Sequence, residues 1–147
     1  MRLESDQVDQ IYDQMCAIMC IDTQEREEEY LEATEVEQAE MDKDLAKIKR
    51  LIASRRLAIS AEGNKIEYQL SVPIKQLHNE IHTLSFGIDS MKVGKLLKSQ
   101  SNKNLSDADK GKAFVSTALN LPATTTEEMI LADFTRISEV VTFFTVV

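Results

Sequence analysis

The stretch YQLSVPIKQLHNEIHTLSFGIDSMKVGKLL, residues 68 to 97, changes hydrophobic period twice within thirty positions. Ile66, Tyr68, Leu70 and Val72 alternate with polar residues, and after PIKQLHNE a second extended run carries Ile81, Thr83 or Leu84, and Phe86. A period of two places alternate side chains on one face of a strand, so two such runs joined by a polar turn read as a β-hairpin. Asp89 and Ser90 can then cap a helix carrying Met91, Val93, Leu96 and Leu97. Everything else in the chain follows a helical period. The fold class expected is therefore α+β and mostly α: an N-terminal helix and a long heptad helix, then a small β-hairpin followed by about four short helices.

Upstream of the hairpin, Val8, Ile11, Tyr12, Met15, Ile18 and Met19 follow the three-four spacing of an amphipathic helix ending near Asp22. Asp22 with Glu25 three residues on is an N-terminal cap for the next helix. From Thr23 to about Ser60 the chain has neither Gly nor Pro, and Leu31, Thr34, Gln38, Met41, Leu45, Ile48, Ile52, Arg55 and Ile59 form a heptad seam. At ~1.5 Å per residue such a helix is roughly 55 Å long, and part of its stripe needs a partner. The seam Met41, Leu45, Ile48 and Ile52 is the candidate partner surface, unless residues 5 to 21 fold back on it as a helical hairpin. Residues 22 to 44 hold eleven acidic and two basic side chains, and residues 45 to 56 hold five basic and none acidic. That polarity suits the helix dipole and favours antiparallel self-pairing or a basic or neutral client helix.

Downstream, Ser106 with Asp107 and Asp109 can start a helix running to about Asn120, and Pro122 stops it. Thr124 and Thr125 precede Glu127 and Glu128 as caps of a further short helix, and Asp133 is expected to cap the last one. Phe134, Ile137, Val141 and Phe144 mark the inner face of that helix, leaving Phe143 off the stripe as a candidate partner contact. Residues 1–62 read as a helical or coiled-coil extension and residues 63–147 as the domain proper.

Composition excludes several classes of function. Of the net charge of −8, all resides in residues 1–62, with 16 acidic and 8 basic side chains, against 9 of each in residues 63–147. An acidic chain repels phosphate backbones, so nucleic acid is not an expected partner. No apolar run is long enough to span a membrane and MRLESDQVDQ has no apolar export segment, which points to the cytoplasm and away from a membrane partner. Cys16 and Cys20 lack the spacing of a redox or zinc pair.

Catalytic motifs fail individually. HNEIH at 78–82 places its Glu wrongly for the HExxH zinc motif, and Gly87 with Gly94-Lys95 has six residues where a P-loop has four. DADKG at 107–111 begins like a calcium loop but has no Glu at its twelfth position. Nothing groups a nucleophile, a base and an orienting acid. The expectation is a protein that is not an enzyme and has no cofactor and no metal.

The order of several short pieces resembles the phage tail assembly chaperone family, in the branch found in Mu-like and related contractile-tailed phages, over about residues 66 to 144. Leu70, Pro73 and Ile74 match a strand ending in L-x-x-P-I, and Glu80, Ile81 and Leu84 match the second strand. Asp89 and Ser90 match its polar pair, and Leu119, Leu121 and Pro122, then Met129, Asp133, Phe134 and Ile137, then Phe143 and Phe144, match the C-terminal signature. The resemblance implies a non-catalytic chaperone in the host cell cytoplasm that binds the tape measure protein, and with it the tail tube protein, as a homo-oligomer during tail morphogenesis. The alternative is a coiled-coil structural or adaptor protein acting through its N-terminal helix.

Overall fold

The computed structural model describes residues 1–100 and 106–145, and the side chains of residues 1–96 and 106–145. The chain is mostly helical around one small sheet: α1 (Ser5–Ile18), α2 (Thr23–Glu32), α3 (Glu35–Ala53), β1 (Leu57–Ile59), β2 (Ile66–Lys75), β3 (Glu80–Phe86), α4 (Val93–Gln100), α5 (Asp107–Ala118), α6 (Ala123–Glu127) and α7 (Leu131–Thr145). The expected hairpin is β2 with β3, and among the described residues four α-helices follow it. The side chain of Leu97, placed on α4 by its period, lies outside the described residues.

The single long helix expected from Thr23 to Ser60 is instead two helices and a strand. Thr34 breaks it with a capping box: its hydroxyl accepts from the Glu37 N–H at 3.2 Å while the Glu37 carboxylate accepts from the Thr34 N–H at 3.0 Å. Gln38, the other polar seam position, donates at 2.7 Å to the carbonyl of Tyr30 at the end of α2, which also accepts from the Ala33 N–H at 3.2 Å. The lower end of α3 closes at Arg55 in the left-handed region (φ 65°), with the Arg55 and Arg56 N–H groups returning to Ile52 and Leu51 carbonyls at 3.0 Å. Cys20 (φ 57°) closes α1 and Asn120 (φ 55°) closes α5 in the same way. A non-glycine residue thus stops each of these helices.

The three strands run antiparallel in the order β1-β2-β3. Leu57 lies opposite Tyr68, Tyr68 opposite Leu84, and Ile66 opposite Phe86, and this face is buried. Against it pack Met15 and Cys16 of α1, Ile48 and Ile52 of α3, and Ile137, Val140, Val141 and Phe144 of α7, all in one apolar cluster. The boundary drawn at residues 62/63 falls between the paired strands β1 and β2, so residues on both sides of it share a core. The α1–α3 pairing is the helical hairpin that the N-terminal periodicity allowed, and it takes Ile48 and Ile52 away from any outside partner.

Asp133 is not the cap of α7 but a cross-link between that helix and the sheet. Between the pairs Gln69–Thr83 and Ile74–Ile81, the four residues Leu70 to Pro73 of β2 lie opposite His82 alone, so the ladder is interrupted. The carboxylate of Asp133, fully buried in the first turn of α7, supplies the acceptors that the sheet does not. It accepts from the Ser71 N–H at 2.9 and 3.1 Å, from the Val72 N–H at 3.3 Å and from the Tyr68 hydroxyl at 2.7 Å. Arg136 lies 3.7 Å away, and Arg56 donates to the Gln69 carbonyl at 2.9 Å and the Ser71 hydroxyl at 2.7 Å beside it. Burial pushes the Asp133 carboxyl up, but these donors outweigh it and hold its pKa below the ordinary carboxylate value.

Because the folded state binds this proton less tightly than the unfolded chain, the stabilisation is complete above the ordinary carboxylate pKa of about 3.9 and is lost as pH falls through the lower folded value. Asp133→Asn keeps the shape but turns an amide toward N–H donors, and is expected to destabilise by about 3 kcal/mol at pH 7 in urea unfolding. The gap to the native protein should narrow as pH falls below the ordinary carboxylate value and through the lower folded one; a gap independent of pH would assign the effect to shape instead of charge. Cys20→Gly is expected to raise stability by about 0.5 to 1 kcal/mol, since glycine adopts the left-handed conformation without the steric cost of a Cβ, and thermal unfolding would show it as a higher midpoint.

Candidate functional site

Breaking the long helix at Thr34 creates a space that one straight helix would not. A groove of about 890 Å³ opens between α1, α2, α3 and α7. Met41, Leu45, Ile48 and Leu51 line it from α3, Tyr30 from α2, Tyr12 from α1, and Val140 and Phe143 from α7. Four of the five residues singled out as partner contacts therefore meet here. The fifth, Ile52, is fully buried in the core, and Ile48 is itself 2% exposed, so the accessible part of the seam is Met41 and Leu45.

Phe143 belongs to the wall of this groove. Its ring packs on Tyr12 at 6.1 Å and edge-on against Phe144 at 5.1 Å, and the guanidinium of Arg26 stacks over it at 4.7 Å while donating to its main-chain carbonyl. Arg26 thereby ties α2 to α7 across the groove. The end of α2 is held to α3 by the Tyr30 hydroxyl, which donates to Asp42 at 3.0 Å. Burial pushes the Tyr12 phenol up to about 12, and the hydrogen bond to Asp42 raises that of Tyr30, so both stay neutral at physiological pH. The charge of the groove comes from its rim. Asp13, Glu27, Glu29, Asp42, Asp44 and Glu139 stand against Arg26 and Lys47, six acidic to two basic residues, and Lys47 pairs with Glu139 at 3.4 Å.

Periodicity identified Met41, Leu45, Ile48 and Phe143 but not Tyr12, Arg26 or Tyr30 as lining residues. The isolated Arg26 within the acidic run from Asp22 to Asp44 was the one sequence signal for that wall. Phe134, expected on the inner face of α7, is half-buried, and Val140 takes a fully buried place beside Ile137 and Val141.

The other motifs lie elsewhere. His78 is exposed in the turn between β2 and β3, and His82 is exposed on β3, 3.4 Å from Glu80. Asp107 and Asp109 occupy the first turn of α5, where the Ser106 hydroxyl accepts from the Asp109 N–H at 3.1 Å. Cys16 is buried and Cys20 exposed, and neither forms a disulfide. Among the described residues no three His, Cys, Asp or Glu side chains are placed to hold a metal ion, and no helix is long and apolar enough to cross a membrane. Comparison of the chain with family models, with characterised proteins and with solved structures finds no match.

The two adjacent phenylalanines of α7 separate fold from groove. Phe144, 2% exposed, should cost about 4 kcal/mol on truncation to Ala, whereas Phe143→Ala should cost about 1 to 2 kcal/mol. Urea unfolding of both variants measures this; equal losses would make Phe143 a core residue and not a wall of the groove.

Proposed function

We propose that this chain is a non-catalytic assembly chaperone whose client is the tape measure protein of a contractile phage tail. The observation that carries the reading is the groove itself: Met41, Leu45 and Phe143 leave apolar surface half-exposed between four helices, a setting suited to one more helix. Leaving a large apolar side chain in water forfeits roughly 1.5 to 3 kcal/mol, so such a surface favours a partner. A tape measure protein offers long helices with apolar stripes, and several copies of a small helix-holding domain along one such helix would keep it from aggregating until tail tube subunits enclose it. The order of the L-x-x-P-I strand, the second strand and the α7 residues Asp133, Phe134, Ile137, Phe143 and Phe144 supports the same family.

The alternative, an adaptor acting through a coiled coil, draws less support. Ile48 and Ile52 are used by the core, which leaves Met41 and Leu45 as two accessible positions of the seam, fewer than a stable coiled coil needs.

Co-expression with a tape measure protein from the same genome tests the proposal. A tagged chain is expected to recover that protein in soluble form, and Leu45→Ala with Met41→Ala is expected to recover several-fold less. A tape measure protein that stays insoluble, or that is recovered equally by the double variant, would reject it.

A further inference from the structure

The groove has a chemistry that narrows its occupant. Every wall is helical, so no strand edge is available to pair with an extended peptide. A segment lying there finds no strand to pair with, which suits a helix, whose backbone N–H and C=O groups bond within the segment. All four helices around the apolar base contribute acid: Asp13 from α1, Glu27 and Glu29 from α2, Asp42 and Asp44 from α3, and Glu139 from α7. The two basic lining residues are already engaged, Arg26 with the ring and carbonyl of Phe143 and Lys47 with Glu139. Six acidic residues less two basic leaves an excess of four negative charges around the opening.

We infer that the groove binds an amphipathic helix whose apolar stripe is bordered on both sides by Lys or Arg, in preference to one bordered by Glu or Asp. This rests on the reading of the groove as a helix-holding surface and adds the class of helix it selects. An acidic helix would bring like charges within a few ångströms of the rim, inside the Debye length of about 8 Å at physiological ionic strength. A basic helix would meet the excess of four negative charges there, and complementarity of this kind sets specificity more than raw affinity. The selection is consequently sensitive to salt, while the apolar contacts with Met41, Leu45 and Phe143 are not.

Three labelled peptides of about 14 residues, four helical turns, test this by fluorescence anisotropy on the full-length protein. The first carries a Leu stripe flanked by Lys, the second the same stripe flanked by Glu, and the third the composition of the first with the stripe scrambled. The Lys-flanked peptide is expected to bind at least about tenfold more tightly than either of the others, and to weaken several-fold between 50 and 500 mM salt, both order-of-magnitude expectations. Glu29→Lys with Asp44→Lys changes exposed positions only and should remove the preference for Lys over Glu while the circular dichroism spectrum stays unchanged. Equal binding of the Lys- and Glu-flanked peptides, equal binding of the scrambled peptide, or a preference that survives the charge reversal would each overturn the inference. Sedimentation showing that the groove is filled by a second copy of the chain, displaced by none of the peptides, would overturn it as well. A Lys-flanked peptide that binds as expected while the tape measure protein does not would leave the selection standing and reject the client. Recovery of the tape measure protein without any charge preference would do the reverse.

Discussion

A single buried carboxylate ties the last helix of this fold to its sheet. β2 departs from its ladder between Gln69 and Ile74, and the departure leaves the N–H groups of Ser71 and Val72 without strand partners. Ser71 and Val72 are themselves exposed, whereas the Asp133 carboxylate is fully buried, and a charge buried without partners costs several kcal/mol; the two N–H groups and the Tyr68 hydroxyl are the donors that let it stay there. Since Asp133 sits in the first turn of α7, those bonds set where that helix begins against the sheet. The positions of Ile137, Val141 and Phe144 in the core and of Phe143 at the groove follow along the helix from that point.

The groove depends on a second local choice, the interruption of a helix that composition alone would allow to continue. The Thr34–Glu37 capping box satisfies donors at the start of α3 while Gln38 and Tyr30 tie the end of α2 back to it. With α2 displaced from the line of α3, Arg26 reaches the face of Phe143 and the carbonyl beside it, closing one wall. Polar residues that would weaken a continuous seam are thus the residues that make the turn between the helices.

These two features separate stability from binding along the same elements. On α3, Ile48 and Ile52 stabilise the core while Leu45 and Met41, about one and two turns before Ile48, remain accessible. On α7, Phe144 is buried and the adjacent Phe143 lines the groove. A small protein can keep an apolar surface partly open in this way when its own core is complete without it. The acidic rim opposes non-specific association of that surface with other copies, which carry the same charge.

The sequence by itself determined most element types, but not β1, whose residues Leu57 to Ile59 fall at the end of the helical period that starts at Thr23. Period two in residues 66–72 and 81–86 specified the hairpin, period three-four specified the helices, and the Asp22 and Ser106 caps marked the starts of α2 and α5. It also set Met41, Leu45, Ile48 and Ile52 on one seam and Phe143 off the stripe of α7, because apolar spacing is a local property, but it did not separate Ile48 and Ile52, which the core buries, from Met41 and Leu45, which it leaves accessible. It did not reveal where the long helix stops. Thr34 has the T-x-x-E spacing of a cap but also lies at a seam position, and Arg55 takes a left-handed conformation that ordinarily marks glycine, so neither stop is forced by residue type. The role of Asp133 was equally illegible, since an acid in the first turn of a helix suits the dipole whether or not a strand 62 positions earlier needs it. Tertiary structure decided these points because they depend on which distant N–H groups lack partners and on which helix faces the sheet covers, and neither is encoded in the spacing of a single segment.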